Sequence, residues 1–573
     1  MRTCLVLIFV ILVSSAGNAQ FATDTLKHRY LTNGSLDSVA SPGDFLVQPV
    51  VIQGGEWYSN DMFWRIGMGN FGTSNHEKNA VFSALPHIGF AYQFGTQATQ
   101  QVRADYHQTF NGNWIVNASL RTNSTAGFYR NSNFKSGTYS ALVQRNEGKF
   151  PMKFTTEFSN ETRNWTGGVI DPQQALSFPS DFLAVSKNDA NTLRKNQKIN
   201  YEILFPFLKD SSKTLGIISK SGYKRTQRTY FETGNLIDIY PTIYFDTTTS
   251  NDLFRINDFN QKLAWFSQLK KGNQLEIGLD SRFWIYADSL FKRSQLEMSA
   301  YDQLNLVFGK FILSHRGLFN FYGANFGLKS FGELKANFFD INWKIAHHLV
   351  SWLPEAEQRT FSSNNHFFEL ENLSLQTLQK LELTGFKSLN KWNLNLKIRQ
   401  DFFNNLYLFN LTQGQWDNTS ENSDFAATQL SLGATYQLKN WRFGGNYQFS
   451  SSSKSVNFLP QYLAKASFLW RGGIFKAKNL QSVLSADVFW QSSSTGFDLI
   501  PTMDAIWWNE QGVTNNGILN LSVMAGFEVS TFRFFVKATN LGYFWTDRTT
   551  QLWQGYTLPG MQIRLGITWD FWN

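Results

Sequence analysis

Three glycines, Gly67, Gly69 and Gly72 in RIGMGNFGTSNHE, have the G-x-G-x-x-G spacing that lets a backbone turn approach a pyrophosphate seated at a helix N-terminus. That chemistry needs a buried strand before the turn, a helix after it and an acidic residue about twenty positions on. Here DMFW is short and mixed, no carboxylate stands near Tyr92 and Gln93, and PHIGFAYQFG alternates as a strand does. A dinucleotide site is not expected. His76-Glu77 opens a zincin H-E-x-x-H, but Ala80 stands where the second histidine belongs. His347-His348 has no third ligand at a diagnostic spacing, and the pair reads as a loop feature in INWKIAHHLVSW. His107 and Ser119 would be neighbours across a hairpin, which raises acyl transfer at a barrel wall; no G-x-S-x-G elbow supports it. The expectation is no catalytic residue, no metal and no cofactor.

The elements that carry these residues set the class. MRTCLVLIFVILVSSAGNAQ has one charge at Arg2, an apolar run from Leu5 to Val13 and small residues before Gln20. This is the layout of a secretory signal peptide, with an apolar core too short to span a bilayer as a helix. Cleavage is expected between Ala19 and Gln20. It would remove Cys4, the single cysteine, and with it every disulfide and thiolate chemistry. The formal net charge of +9 is spread without a long basic run, so a nucleic-acid partner is not expected for an exported chain. Charged residues make up only 17%, against roughly 25% in ordinary soluble domains, while aromatics reach 16%. No later stretch is long and apolar enough for a transmembrane helix.

Alternation with period two recurs instead. In VRADYHQTF, Val102, Ala104 and Tyr106 share one face and Arg103, Asp105 and His107 the other; after Asn111-Gly112-Asn113, WIVNASLR repeats the pattern with Arg121 on the polar face. Further tight turns are read at Lys271-Gly272-Asn273 and Lys439-Asn440, and near Gly148, Ser211, Asn390 and Ser530. Longer polar connections are read in DTTTSNDLFRINDFNQ, TQGQWDNTSENSD and WQSSSTGFDLIPTMD. Short turns alternating with long loops are what an outer-membrane barrel has on its two rims. The final MQIRLGITWDFWN places Ile563, Leu565, Ile567, Trp569 and Phe571 on one face and Arg564 on the other, and resembles the closing strand of such barrels. Aromatic residues at segment ends, as in YADSLF, WRGGIF and LGYFW, suit interfacial girdles. The fold expected is all-β: a closed antiparallel transmembrane barrel of roughly 16–20 strands with short periplasmic turns and long extracellular loops.

GNFGTSNHEKNAVF, with Gly69, Asn70 and Gly72, resembles the opening element of the putative porin family of Bacteroidota outer membranes. PHIGFAYQFG is similar to that family's first strand, and GFYRN (Gly127, Tyr129) and NWTGGVID (Gly167, Gly168) to two further landmarks. The resemblance implies a transmembrane barrel and pore but no site residues. NLGYFW and GYTLPGMQIRLGITWDF also look like the closing hairpin of TonB-dependent receptors, although Gln20 to Pro86 is short for the plug domain those receptors carry. The expected organisation is a signal peptide over 1–19, a lead segment serving as a partial plug over 20–85, and the barrel over 86–573.

The function expected is passive or weakly selective diffusion of small polar solutes, with Arg103, Arg121 and Arg564 lining the lumen and favouring anions. The alternative is a plugged barrel that carries hydrophobic or larger substrates, the plug drawn from the lead segment or from 172–190 and 345–366, where INWKIAHHLVSW would fold inward as a short helix. Expected partners are outer-membrane lipid, the barrel-assembly machinery, the permeating solutes and, by analogy with porins, further copies of the chain.

Overall fold

The computed structural model describes residues 80–572, apart from 210–212, 270–271, 323–324, 371–372, 411–413, 421–422, 455–459, 474–479, 496, 504, 509–511, 513, 516, 554 and 558–559. The expected signal peptide with its cleavage position, the glycine motif at Gly69, Asn70 and Gly72, and the His76-Glu77 pair lie outside the described residues.

One sheet of 22 antiparallel strands closes on itself. In chain order the strands are β1 (His87–Gly95), β2 (Thr99–Phe110), β3 (Trp114–Thr125), β4 (Phe134–Arg145), β5 (Met152–Asn164), β6 (Asn191–Lys209), β7 (Thr214–Thr233) and β8 (Thr249–Gln268). The far wall is β9 (Gln274–Ala287), β10 (Lys292–Phe308), β11 (Phe311–Tyr322), β12 (Asn325–Phe338), β13 (Ile341–Trp352), β14 (Gln376–Leu389) and β15 (Trp392–Asn404). The return to the seam is β16 (Phe425–Leu438), β17 (Trp441–Ser452), β18 (Tyr462–Gly472), β19 (Leu480–Gln491), β20 (Ile518–Val529), β21 (Phe532–Thr539) and β22 (Gln562–Trp572). Each strand pairs with its chain neighbours, and β1 pairs with β22, His87 opposite Trp572 and Gly95 opposite Arg564. Closure gives every ladder a partner, which lipid cannot supply to an open edge.

The strand number exceeds the expected range because 323–390, which alternates imperfectly, supplies parts of three full strands, β12 to β14. The two rims sort the connections as expected. One holds the turns at 111–113, 146–151, 390–391, 439–440 and 530–531, together with both ends of the barrel; the other holds 165–190, 234–248, 353–375, 405–424, 492–517 and 540–561. DTTTSNDLFRINDFNQ is not a long loop: from Thr249 it is β8, which with β6 and β7 runs longer than its neighbours. Its polar residues fall on both faces, as a strand tall enough to leave the membrane can carry them.

Alternation assigns the faces. Ile88, Phe94, Leu279, Phe319, Phe443, Ile563 and Phe571 are exposed on the outside, while His87, Gln93, Glu276, Arg399, Asp401 and Arg564 are buried within. Outward aromatics stack across strands near the short-turn rim, Phe308 with Phe311 at 5.4 Å, Trp392 with Tyr436 at 4.6 Å and Phe532 with Trp569 at 5.6 Å. A second group, Phe319, Phe321 and Phe326, lies toward the other rim. These are the girdles that anchor a barrel at two interfaces.

Candidate functional site

The inner face is polar because each strand turns every second residue inward, and its charges are placed so that opposite signs meet across the ladder. Lys220 lies 3.1 Å from Glu276, Lys262 3.0 Å from Asp280 and Arg282 2.7 Å from Asp258. On β13 to β15, Glu382 accepts from Lys344 at 3.1 Å and from Lys397 at 3.2 Å, and Arg399 donates to Asp401 at 2.9 Å with both side chains fully buried. Such pairing repays part of the desolvation cost that each charge would carry alone. The wall is therefore a mosaic of neutralised pairs.

Arg103, Arg121 and Arg564 all lie on the inner face. Arg103 is directly opposite Arg121 in the β2–β3 ladder and is paired with Asp105; Arg564 donates to Gln562 and is almost fully buried. They share one sector beside the β1–β22 seam and do not encircle the lumen.

Residues 353–375 are the inserted element. Their single helical turn, Ala356–Arg359, is capped reciprocally by Glu355 and Gln358. Arg359 donates to Gln295 Oε1 at 3.0 Å, Tyr286 OH to the Thr360 carbonyl at 2.8 Å and the Asn364 amide to Asp252 Oδ1 at 2.8 Å. Glu355 also acts electrostatically on Lys224, Arg282 and Lys329 of the wall. The loop thus lies against the inner wall on the β7–β12 side. Phe361 and Phe368 from this loop, Tyr407, Phe409 and Trp416 from 405–424, and Ile500 and Met503 from 492–517 pack with Phe254, Trp284 and Tyr286 of the wall into one apolar cluster. His366 stacks edge-on against Phe409 at 5.9 Å, and burial pushes its imidazole down to about 4.

The plug expected at 345–366 is displaced along the chain. INWKIAHHLVSW is strand β13, not a helix, because its apolar residues alternate and only the segment after Leu353 turns inward. Alternation also splits the histidine pair: His348 faces the lumen beside Phe331, and His347 faces out. In the loop containing 172–190, Leu176, Phe178 and Phe182 are exposed, and its ties run to Gly555, Glu232 and Tyr240 at the long-loop rim. His107 is held by Asn117 at 2.5 Å while Ser119 bonds Ser140 at 2.6 Å, so the two do not meet. Among the described residues no cluster of three or more metal-ligating side chains occurs.

Residues 80–86 run inside the short-turn mouth: Val81 exchanges bonds with the Asn117 amide, and the Thr109 amide donates to the Ser83 carbonyl at 2.7 Å. At the other rim, Tyr129, Gly167 and Gly168 converge. Tyr129 OH donates to the Thr557 carbonyl at 2.6 Å, and the Val169 amide donates to the Gly555 carbonyl at 2.6 Å. A side chain at Gly555 would press on the Gly168 backbone, so this approach needs glycine. Nearby, Lys187 donates to Glu232 at 2.6 Å and to Tyr240 at 2.5 Å, and burial holds the Lys187 ammonium below its ordinary range. The landmark motifs are thus a clasp joining loops 126–133, 165–190 and 540–561 across the seam. The sequence presents the motifs singly; their meeting depends on closure.

A closed antiparallel barrel with an apolar belt, aromatic girdles, a charge-paired interior and loops sorted by rim is an outer-membrane β-barrel. The family model described as "Putative porin" matches residues 82–573, and the chain belongs to that family. No curated protein sequence matches the chain. Among solved structures it is similar in fold to "Copper transporter OprC", at 11% identity and TM-score 0.63 over 86% of this chain and 82% of that one. It is likewise similar to the siderophore receptor PiuA from Acinetobacter baumannii, at 10% identity and TM-score 0.59 over 86% and 82%. The FrpB iron transporter from Neisseria meningitidis matches at 12% identity and TM-score 0.59 over 85% and 82%.

Proposed function

We propose that the protein is an outer-membrane diffusion channel for small polar solutes, narrowed by its own 353–375 segment. The observation that carries this reading is the combination of a polar, charge-paired inner wall with a chain segment bonded to one side of it at Gln295, Asp252 and Tyr286. A polar lumen replaces part of a solute's hydration, and an inserted loop sets how large a solute passes. Because the wall cations face carboxylates, selectivity between small anions and cations is weak. Purified protein in planar bilayers should give discrete conductance steps, and replacing 354–374 by a short Gly-Ser linker should raise the step size several-fold. Absence of steps from both proteins would sink the channel reading.

A second reading is favoured by the depth of the aromatic cluster, whose Trp416 and Phe361 are almost fully buried where three loops meet over the lumen. In it the loops act as a lid over a transport path, and the likeness in fold to proteins titled as copper and iron transporters supports asking the question. Its signature is a silent native protein that conducts only when the lid is removed.

A further inference from the structure

The outward face of β10 to β13 breaks the apolar rule at one level. Asp302, His315, Ser330 and His347 stand there, one per strand, between Leu304, Leu313 and Ile345 on the short-turn side and Phe319, Leu328 and Leu349 on the other. Their side chains form a continuous chain: His315 Nδ1 is 2.8 Å from Asp302 Oδ2, His315 Nε2 is 3.2 Å from Ser330 Oγ, and Ser330 Oγ is 3.1 Å from His347 Nε2. Gly317 and Gly332 make room, since a Cβ at either would collide with the Asp302 carboxylate or the His347 ring.

The residue types are those of a serine-hydrolase relay, but the surroundings are not. The neighbouring backbone amides are committed to the barrel ladders, leaving no pair of N–H donors for an oxyanion. The cluster is also midway along its strands, between the Phe308–Phe311 stack and the Phe319–Phe321–Phe326 group, where hydrocarbon lies and ester carbonyls and water do not.

Ionisable groups facing hydrocarbon are expensive and are usually covered by protein. On the opposite wall the outward positions hold Val488, Val523 and Ile563. A cover must bring donors and acceptors to the same depth. A second copy related by a two-fold axis along the membrane normal does so, because each group then meets its counterpart at its own level. The cluster is self-complementary, with one carboxylate, two imidazoles and a hydroxyl. We propose that the β10–β13 wall is the interface of a two-fold dimer of this chain, centred on Asp302, His315, Ser330 and His347.

The test uses the full chain in isolated outer membranes with Cys4→Ser as background. Single cysteines at Ala300→Cys and Leu328→Cys, beside the cluster, are oxidised with copper phenanthroline and compared with Val523→Cys on the opposite wall. A disulfide-linked homodimer at least about ten times more abundant than in the control is expected, and native mass spectrometry of the Asp302→Leu, His347→Leu double variant should show the wild-type dimer shifted to monomer. Heat-modifiable gel migration checks that each variant is folded. Cross-linking no greater than the control, or to a different protein, overturns the proposal. So does labelling of Ser330 by a fluorophosphonate that is lost in both Ser330→Ala and His315→Ala, which would make the cluster a hydrolase site.

Discussion

Arg399 and Asp401 are two positions apart on one strand, fully buried, and bonded at 2.9 Å. Removing one charge leaves the other stranded, so Arg399→Met should cost about 3–5 kcal/mol, and adding Asp401→Leu should recover much of it. Urea unfolding in detergent micelles, read as a double-mutant cycle, measures both numbers. The clasp gives a smaller effect: Tyr129→Phe removes one hydrogen bond to the Thr557 carbonyl and should cost about 1 kcal/mol. At this scale the sequence was legible in parity and opaque in partnership. Arg103, Arg121 and Arg564 fall on the inner face, as alternation requires, but that they share a sector follows from a closure joining residues hundreds of positions apart. His315 was not singled out in the sequence, although in FILSHRGLFNF it occupies the parity of Phe311, Leu313, Phe319 and Phe321, a polar residue in an apolar row. Its partners were not legible, because Asp302 and Ser330 depend on the register of two further ladders.

Among the elements, the inserted loop is expected to pack less firmly in acid than at neutral pH. His366 has its imidazole pushed to about 4 in the folded loop, below its ordinary 6.5. Above pH 6.5 the residue is neutral whether the loop is packed or released, and its packing is fully available. As pH falls from 6.5 toward 4 the released loop takes up a proton that the packed loop refuses, so packing weakens. Protease nicking within 353–375 should therefore be faster at about pH 4.5 than at about pH 7.5, when cleavage is corrected for the protease's own pH profile. His366→Phe should remove the difference. The strands were readable because a half-buried β-strand writes period two into its residues. The inward loop was not, since Phe361, Phe368 and Trp416 carry no periodicity and acquire a core only when three loops meet.

For the whole molecule, heat-modifiable migration on gels is the direct check of closure: unheated protein should run faster than boiled protein, and a variant lacking 562–573 should lose the fast form. The barrel class and rim order followed from local patterns, whereas the strand total required 323–390 to be resolved ladder by ladder. The seam has one more consequence, and it concerns order along the chain. His87 contacts Asp570 at 3.2 Å and its ring lies 4.1 Å from that of Trp572, so the first strand meets the last. Every other ladder of the barrel sheet joins strands adjacent in the chain. One edge of β1 is satisfied by β2 next to it in the chain, and the other only by β22. Closure of the sheet therefore rests on this single pairing of the first strand with the last.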